Sequence, residues 1–319
     1  MLPLPDRLTH ADWSLHPGKR WQVTATRQPN GRYHLAAPAL VGPADTLLTR
    51  LRADLPPTTI LWLGVDFPLG VPAHWASQVG LTHFLDLLQH WGQPPWEAFD
   101  AVAATPADIS LYRPFYPAGR TTPPARHAHL TTALQAPNIA ALRRTCDHPQ
   151  PHRRAAAPLF WTLGAQQVGK AALSGWRELL VPGLRQHPNL RLWPFHGPLA
   201  ALTQPGQTVV LETYPAECYH HLGVHFGRTS KRDPAARAAH AARLHAWTDA
   251  HEITLAPALA AQIHAGFGPH PDGEDPFDAL IGLLGMLNIA LGHRPPYDPT
   301  HPTHQHVEGW ILGLAPVSG

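Results

Sequence analysis

The sequence predicts an α/β protein built on a mixed sheet, and three observations carry this prediction. Two short apolar runs, residues 60–65 and 208–211, each end on a carboxylate, Asp66 and Glu212, and a proline follows within three residues. An Asn-Gly step at residues 30–31 separates two strand-like runs, and helical spacings of apolar residues lie elsewhere. Short aliphatic and β-branched runs bounded by Gly and Pro are typical of buried strands. The chain therefore predicts both strands and helices in one sheet-based fold.

The N-terminal part gives the order β-β-β-α-β. A short strand is predicted to end near Asp12, and residues 19–36 predict a hairpin around a Pro-Asn-Gly turn at 29–31. Residues 43–54, where three leucines recur at helical spacing, predict a helix before the strand that ends at Asp66. Hairpin neighbours followed by a helical connection indicate a sheet with both antiparallel and parallel pairs.

The middle of the chain differs in composition, since it is rich in Pro, His and Arg and shows no clear strand. We predict that residues 73–207 are a helical and loop insertion in a core formed by residues 1–72 and 208–319. Helices are predicted near 80–91, 137–145, 165–181, 235–251, 256–265 and 274–291. The last of these is apolar on nearly every face, so it should be buried, with another backbone packed closely at Gly282 and Gly285.

Composition limits the class of protein. Hydrophobic residues make up 44% of the 319 residues and charged residues only 14%, against about 25% in typical domains. The net charge of +2 excludes a global basic field that would bind nucleic acid non-specifically. Two distant cysteines exclude a disulfide scaffold, and neither a signal peptide nor a membrane span is expected. We therefore expect a cytoplasmic protein without a membrane partner.

Acidic residues that follow apolar segments are the main functional signal. A carboxylate at a strand end costs several kcal/mol of desolvation, roughly, unless a cation or a donor offsets it. Hard divalent ions prefer oxygen ligands, and two-metal phosphoryl chemistry needs several converging carboxylates. The candidates are Asp12, Asp66, Glu212, Asp275 and Asp278.

Four of these candidates also have a purely structural interpretation. Asp66 precedes Phe-Pro-Leu-Gly and suits a turn, while Glu212 suits an ion pair with an arginine. Asp275 suits the N-cap of a helix, and Asp278 suits the position that completes a capping box. These alternatives stay open at the level of the sequence.

A second motif lies at residues 164–171, which nearly match a phosphate-binding P-loop. The consensus requires Ser or Thr after the lysine, but Ala171 follows Lys170 and has no hydroxyl to hold Mg²⁺. A helix packed closely through Gly169 is the alternative. A nucleotide-hydrolysing protein remains one hypothesis on this basis.

Several segments, spread over nearly the whole chain, are similar to motifs of one family. They are Asp12-Trp13-Ser14, residues 17–21, 64–70, 158–176, 212–217, 275–280 and 308–313. In these segments the chain resembles the predicted RNase H-like nucleases, a family long described only as a domain of unknown function.

The resemblance implies an RNase H-like mixed sheet, in the order β-β-β-α-β-…-β-α, with a large helical and loop insertion. It places Asp12 on the first strand, Asp66 on the fourth, Glu212 on the fifth and Asp278 on the closing helix, with Asp275 one turn earlier. These residues are the expected ligands of Mg²⁺ or Mn²⁺, and all except Asp275 are the expected catalytic residues.

The function expected from these residues is two-metal hydrolysis of nucleic-acid phosphodiester bonds. Basic residues near the motifs are the expected contacts to the substrate backbone, namely Lys19, Arg20, Lys231 and Arg232. The alternative from another class is a non-catalytic module that binds a nucleic acid or a protein.

Overall fold

The computed structural model describes residues 2–164, 168–268 and 272–316. Its strands β1 to β8 are, in order, Arg7–Asp12, Trp21–Arg27, Tyr33–Leu35, Ala39–Leu40, Leu61–Val65, Leu190–Leu192, Thr208–Glu212 and Thr254–Leu255. Its α-helices α1 to α12 are, in order, Leu47–Arg52, Ala73–Gln78, Phe84–Gln89, His127–Ala133, Val168–Gly175, Val181–Gln186, Leu199–Leu202, Pro215–His221, Pro234–Ala238, Ala241–Ala250, Pro257–His264 and Glu274–Ala290.

The strands form one mixed sheet in the order β6-β7-β5-β1-β2-β3-β8, and β4 pairs with β2. β1, β2 and β3 are antiparallel neighbours, whereas β1 with β5 and β5 with β7 are parallel pairs. The predicted α/β class with a mixed sheet is therefore confirmed. β5 and β7, whose ends carry Asp66 and Glu212, are direct neighbours.

Most predicted elements of the core are present with small shifts. The hairpin is β2–β3, and the strand predicted at 208–212 is β7. β5 ends at Val65, one residue before Asp66, and the helix predicted at 235–251 is divided into α9 and α10. β6 lies in the segment for which no strand was predicted. The prediction missed it because three residues are too few to give a periodic signal.

The chain divides into two compact units. The first unit, which we call the sheet unit, comprises Met1–Asp66, Asn189–Arg191 and Leu199–Pro296. The second, the aromatic unit, comprises Phe67–Pro188, Leu192–Pro198 and Tyr297–Gly319. The division of the chain into a core of 1–72 and 208–319 with an insertion of 73–207 stays a prediction.

The aromatic unit has a core of contacting rings that includes Trp75, Phe99, Phe160 and Trp176. A buried ion pair also stabilises it, since the Arg144 guanidinium donates to both carboxylate oxygens of Asp147 at 2.8 and 2.9 Å. The Glu308 carboxylate accepts from the backbone N–H groups of Ala73 and Thr145. Arg144 thus has a structural role in this unit.

In the sheet unit, α12 is buried almost throughout its length and packs on β1 and β2. A Cβ at Gly282 would lie far inside van der Waals contact of the His10 ring, and one at Gly285 would collide with the Cys218 side chain. The two glycines therefore allow close packing, as predicted. The groups they accommodate are side chains, however, whereas the sequence suggested a second backbone.

β1 has a histidine, His10, at one of its core positions. Its ring is fully buried beneath Gly282, and neither ring nitrogen has a hydrogen-bond partner within the described part of the chain. Burial lowers the pKa of His10 to about 3, despite a smaller opposing effect of the Ala279 backbone. The side chain is therefore a neutral core residue, and β1 is as buried as an apolar strand.

No helix in the described ranges is both long and apolar enough to cross a membrane.

The contact between His10 and Gly282 gives a first prediction. Gly282→Ala should lower the free energy of unfolding by roughly 1–3 kcal/mol, because the added methyl overpacks the His10 ring. In an open helix the same change would stabilise the protein by about 1 kcal/mol. Chemical denaturation monitored by circular dichroism measures the difference.

Asn288→Ala is the matched control, since Asn288 is a partly exposed position of the same helix. It should change the free energy of unfolding by no more than about 0.5 kcal/mol. A Gly282→Ala protein that is more stable than the native chain would contradict the close packing of α12 on β1.

Candidate functional site

The strand register brings Asp12 and Asp66 together. Ala11 of β1 pairs with Val65 of β5, so the next residues, Asp12 and Asp66, leave the two strands side by side. Their carboxyl groups lie within hydrogen-bonding reach of each other. The backbone N–H of Trp13 donates to Oδ1 of Asp66 at 2.6 Å. Two acids from distant parts of the sequence therefore meet at one end of the sheet.

Asp278 joins them from α12. It precedes Gly282 by one helical turn, on the helix face that packs against β1. His10, the residue under Gly282, is two positions before Asp12 and so shares its face of β1. The charges that act on Asp12 include those of Asp66, Asp278 and Asp275. We call Asp12, Asp66, Asp275 and Asp278 the carboxylate cluster.

Both carboxylate oxygens of Asp278 have partners. The hydroxyl of Tyr219 in α8 donates to Oδ1, and the ammonium of Lys231 donates to Oδ2. Asp278 is almost fully buried, whereas the Lys231 side chain is 41% exposed. The cluster thus contains a cation supplied by the chain itself.

The capping interpretation of this helix start is wrong. α12 begins at Glu274 after Gly273, and no side chain caps it. Asp275 therefore lies in the first turn, where its charge complements the helix dipole. Asp278 is free of a capping role because its oxygens face Tyr219 and Lys231.

Glu212 is the one predicted acid that the structure does not bring to the cluster. It pairs with Val65, which pairs with Ala11, so these three side chains share one face of the sheet. Asp12 follows Ala11 and lies on the opposite face. Successive residues of a strand point to opposite faces of the sheet, so a shift of one residue moves a side chain to the other face. A position at the end of a strand, which Glu212 has in common with Asp66, was therefore not sufficient to predict that Glu212 lies in the site.

Burial and mutual repulsion raise the pKa values of the cluster. For Asp12, burial raises the pKa well above its usual range, and the charges of Asp66, Asp278 and Asp275 add to this effect. Burial, together with the charge of Asp278, raises the pKa of Asp66 to about 7, against the lowering effect of the Trp13 N–H. For Asp275 burial and the neighbouring acids raise the pKa to about 6. The cluster therefore favours a cation or a proton.

Lys231 supplies part of that compensation. Burial alone would lower the pKa of Lys231, but the charges of Asp278, Asp12 and Glu274 outweigh it, so the pKa is raised and the ammonium stays charged. Its position is fixed through the backbone, because the buried Arg237 guanidinium donates to the Lys231 carbonyl oxygen and to that of Gly266.

The four predicted substrate contacts have different surroundings. Arg20 is only 1% exposed and stacks on the Trp13 indole at 4.5 Å, while its guanidinium donates to the carbonyl oxygens of Ser14 and Leu15. It therefore holds the loop whose Trp13 N–H reaches Asp66 and is not on the surface where a phosphate would bind.

Each of the other three predicted contacts pairs with an acidic residue that lies in α12 or just before it. Lys19 pairs with Asp272 at 2.6 Å, and Arg232, which is 76% exposed in its side chain, lies 3.7 Å from Glu274. Exposed pairs of this kind contribute little to stability and exchange partners readily. Lys19, Arg232 and Lys231 thus remain candidates for contacting a phosphate.

Two contributors to the site escaped the sequence analysis. Tyr219 follows the Glu-Thr-Tyr-Pro motif by several residues, and only the packing of α8 on α12 brings it to Asp278. Arg237 acts on Lys231 through backbone carbonyls. No sequence spacing indicated either role, because both depend on tertiary contacts.

The near P-loop gives no sign of a nucleotide site in its described part. Residues 165–167 lie outside the described ranges. In α5, a Cβ at Gly169 would collide with the Leu159 carbonyl oxygen, so this glycine serves close helix packing, as the alternative interpretation expected.

The donor atoms of the carboxylate cluster are of the kind that a divalent metal prefers, whereas their geometry in this structure is not that of a metal site. Its donors are carboxylate oxygens, which Mg²⁺ and Mn²⁺ prefer, and Lys231 shows that a cation is stable against Asp278. Across the described ranges, however, no group of three or more His, Cys, Asp or Glu side chains is arranged to hold a metal ion. The engagement of both Asp278 oxygens is consistent with this.

Comparisons of the chain with models of known protein families, with curated proteins and with solved structures give no match.

The raised pKa of Asp66 predicts a pH-dependent effect of Asp66→Asn. The folded carboxyl takes up a proton near pH 7, whereas the unfolded carboxyl does so near pH 4, so the fold is destabilised progressively as the pH rises from about 4 to about 7, and the full effect is present above pH 7. In metal-free buffer at pH 8, Asp66→Asn should raise the free energy of unfolding by roughly 1–3 kcal/mol, since partial exposure screens the charge. This difference should disappear as the pH falls toward 4.5.

Urea denaturation between pH 4.5 and 8.5 in the presence of a chelator measures this difference. Asp45→Asn is the control, because Asp45 is an exposed residue of the same unit. Its effect should stay within about 0.5 kcal/mol, because Asp45 lies on the surface away from the cluster. The many histidines are common to all the proteins compared and cancel. An Asp66→Asn effect that grows at low pH would contradict the assignment.

Proposed function

We propose that the protein is a metal-dependent nuclease with an RNase H-like fold that hydrolyses phosphodiester bonds of DNA or RNA. The observation that supports this most is the meeting of Asp12, Asp66 and Asp278, which come from β1, from the end of β5 and from α12. Only 22 acidic residues occur in the 319-residue chain, and two of these three, Asp12 and Asp278, are buried, which is costly unless a cation compensates their charge.

The arrangement of the sheet supports the same proposal. The acids that the resemblance assigns to the first strand, the fourth strand and the closing helix are the ones that approach each other. β1 and β5 are parallel neighbours, flanked by the antiparallel β2 on one side and by β7 on the other. A fold alone does not define an activity, so the proposal depends on the acids.

The chemistry would be divided between the acids and the basic residues. When bound, Mg²⁺ or Mn²⁺ would activate water for in-line attack and stabilise the leaving oxygen. Asp12, Asp66 and Asp278 would supply oxygen ligands, with Asp275 as a further ligand. Lys19, Lys231 and Arg232, beside the acids, would hold the negatively charged backbone of the nucleic-acid partner.

One observation favours a second candidate, a binding module without catalysis. Tyr219 and Lys231 already occupy both oxygens of Asp278. A module that binds a nucleic acid or a protein without a metal could keep this pairing permanently. Metal binding therefore discriminates between the two candidates.

The nuclease proposal predicts cleavage that depends on both metal and carboxylates. The native protein with Mn²⁺ should cleave at least one of a panel of end-labelled single-stranded, duplex and branched DNA and RNA substrates. Asp66→Asn and Asp12→Asn should slow this cleavage by roughly 100-fold or more, because each removes a metal ligand. Gel electrophoresis of the products under single-turnover conditions measures the rates.

Asp45→Asn, prepared in the same way, should cleave at the native rate and controls for a contaminating nuclease. Equal cleavage by the native protein and by both cluster variants would exclude these carboxylates from the reaction. Mn²⁺ binding in calorimetry without any cleavage would support a metal-binding module and contradict the nuclease.

A further inference from the structure

Among the residues that the structure describes, Lys231 is the one cation that contacts Asp278, and it holds a carboxylate oxygen that a metal could use. The Tyr219 hydroxyl occupies the other oxygen. Each carboxylate oxygen still has a lone pair available, but a divalent ion bound beside the ammonium would be repelled by it, so metal binding favours the departure of the cationic donor. Lys231, whose side chain is 41% exposed, has solvent to move into, whereas Tyr219 stacks on Phe277 and contacts Phe226 at its edge.

The backbone around Lys231 is fixed more firmly than its side chain. The buried Arg237 holds the Lys231 carbonyl oxygen, and Asp233 accepts from the Ala235 N–H at the start of α9. A flexible four-carbon side chain on a fixed backbone position can change partners without unfolding its loop. The exchange therefore needs only a rotation of the Lys231 side chain.

We propose that Lys231 is an exchangeable counter-ion, which neutralises the carboxylate cluster without metal and leaves Asp278 when a divalent ion binds. The inference rests on the proposed function, because it assumes that the cluster accepts a metal. In the metal-loaded protein the Lys231 ammonium no longer pairs with Asp278 but still lies near the cluster, where it can contact a substrate phosphate. Lys231 thus takes part in metal loading and in substrate binding at different stages.

Metal affinity tests the exchange directly. Lys231→Met keeps the length of the apolar stem but removes the competing cation, so Mn²⁺ should bind roughly tenfold more tightly in calorimetry. The metal-free variant should also unfold at a lower temperature, and Mn²⁺ should raise that temperature more than in the native protein. Equal or weaker Mn²⁺ binding by the variant would overturn the inference.

Arg232→Met is the matched control, because it removes the same charge from the neighbouring residue without touching Asp278. Its Mn²⁺ affinity should stay within about twofold of the native value, since exposed charges are screened. If both variants bind Mn²⁺ more tightly to the same degree, the effect is one of net charge and the exchange is refuted.

A chemical footprint gives a second measurement on the native chain. The chain has three lysines, Lys19, Lys170 and Lys231, so acetylation by a small reagent can be followed at each one by mass spectrometry. Addition of Mn²⁺ should increase modification of Lys231 severalfold relative to Lys170, which lies in α5. An unchanged or reduced Lys231 signal under conditions where calorimetry shows bound Mn²⁺ would refute the exchange.

The two proposals fail in different ways. If neither the native protein nor Lys231→Met binds Mn²⁺, the metal-dependent function is wrong and the exchange falls with it. If both bind Mn²⁺ with equal affinity, the proposed function stands and only the exchange is refuted. Binding by Lys231→Met alone would refute the exchange, because Lys231 would then be a permanent block in the native protein.

Discussion

The close contact between α12 and β1 determines where the acids of this protein lie. Gly282 seats its backbone on the buried His10 ring, and no larger residue could approach so closely. Asp278 is one turn before Gly282, and Asp12 is two residues after His10, so a single contact fixes the spacing between a helix carboxylate and a strand carboxylate. The neutral His10 ring acts here as a rigid spacer.

Placing acids so close together has an electrostatic cost, which local donors offset. The Trp13 N–H supports Asp66, and the Arg20 guanidinium holds the loop that presents it. On the helix side, Tyr219 and Lys231 offset the charge of Asp278. The donors come from the loop between β1 and β2, from α8 and from the segment before α9, so the acids depend on contacts among these parts of the sheet unit.

The sequence was sufficient for elements whose signals are local. Apolar runs bounded by Gly and Pro gave β5 and β7, and an Asn-Gly step gave the hairpin of β2 and β3. It was insufficient where pairing decides the outcome: the face of Glu212 depends on its register with Val65. In the sequence, Arg20 resembles a surface charge. Its contact with Trp13 becomes visible only in the folded loop. Asp275 and Asp278 fitted a capping motif that the tertiary contacts of Asp278 override.

The pairing of Lys231 with Asp278 has a consequence for kinetics. If the ammonium must leave before a divalent ion enters, the ion meets a site that is open for only part of the time. The observed rate of metal uptake would then rise with metal concentration only up to the rate at which the side chain swings away.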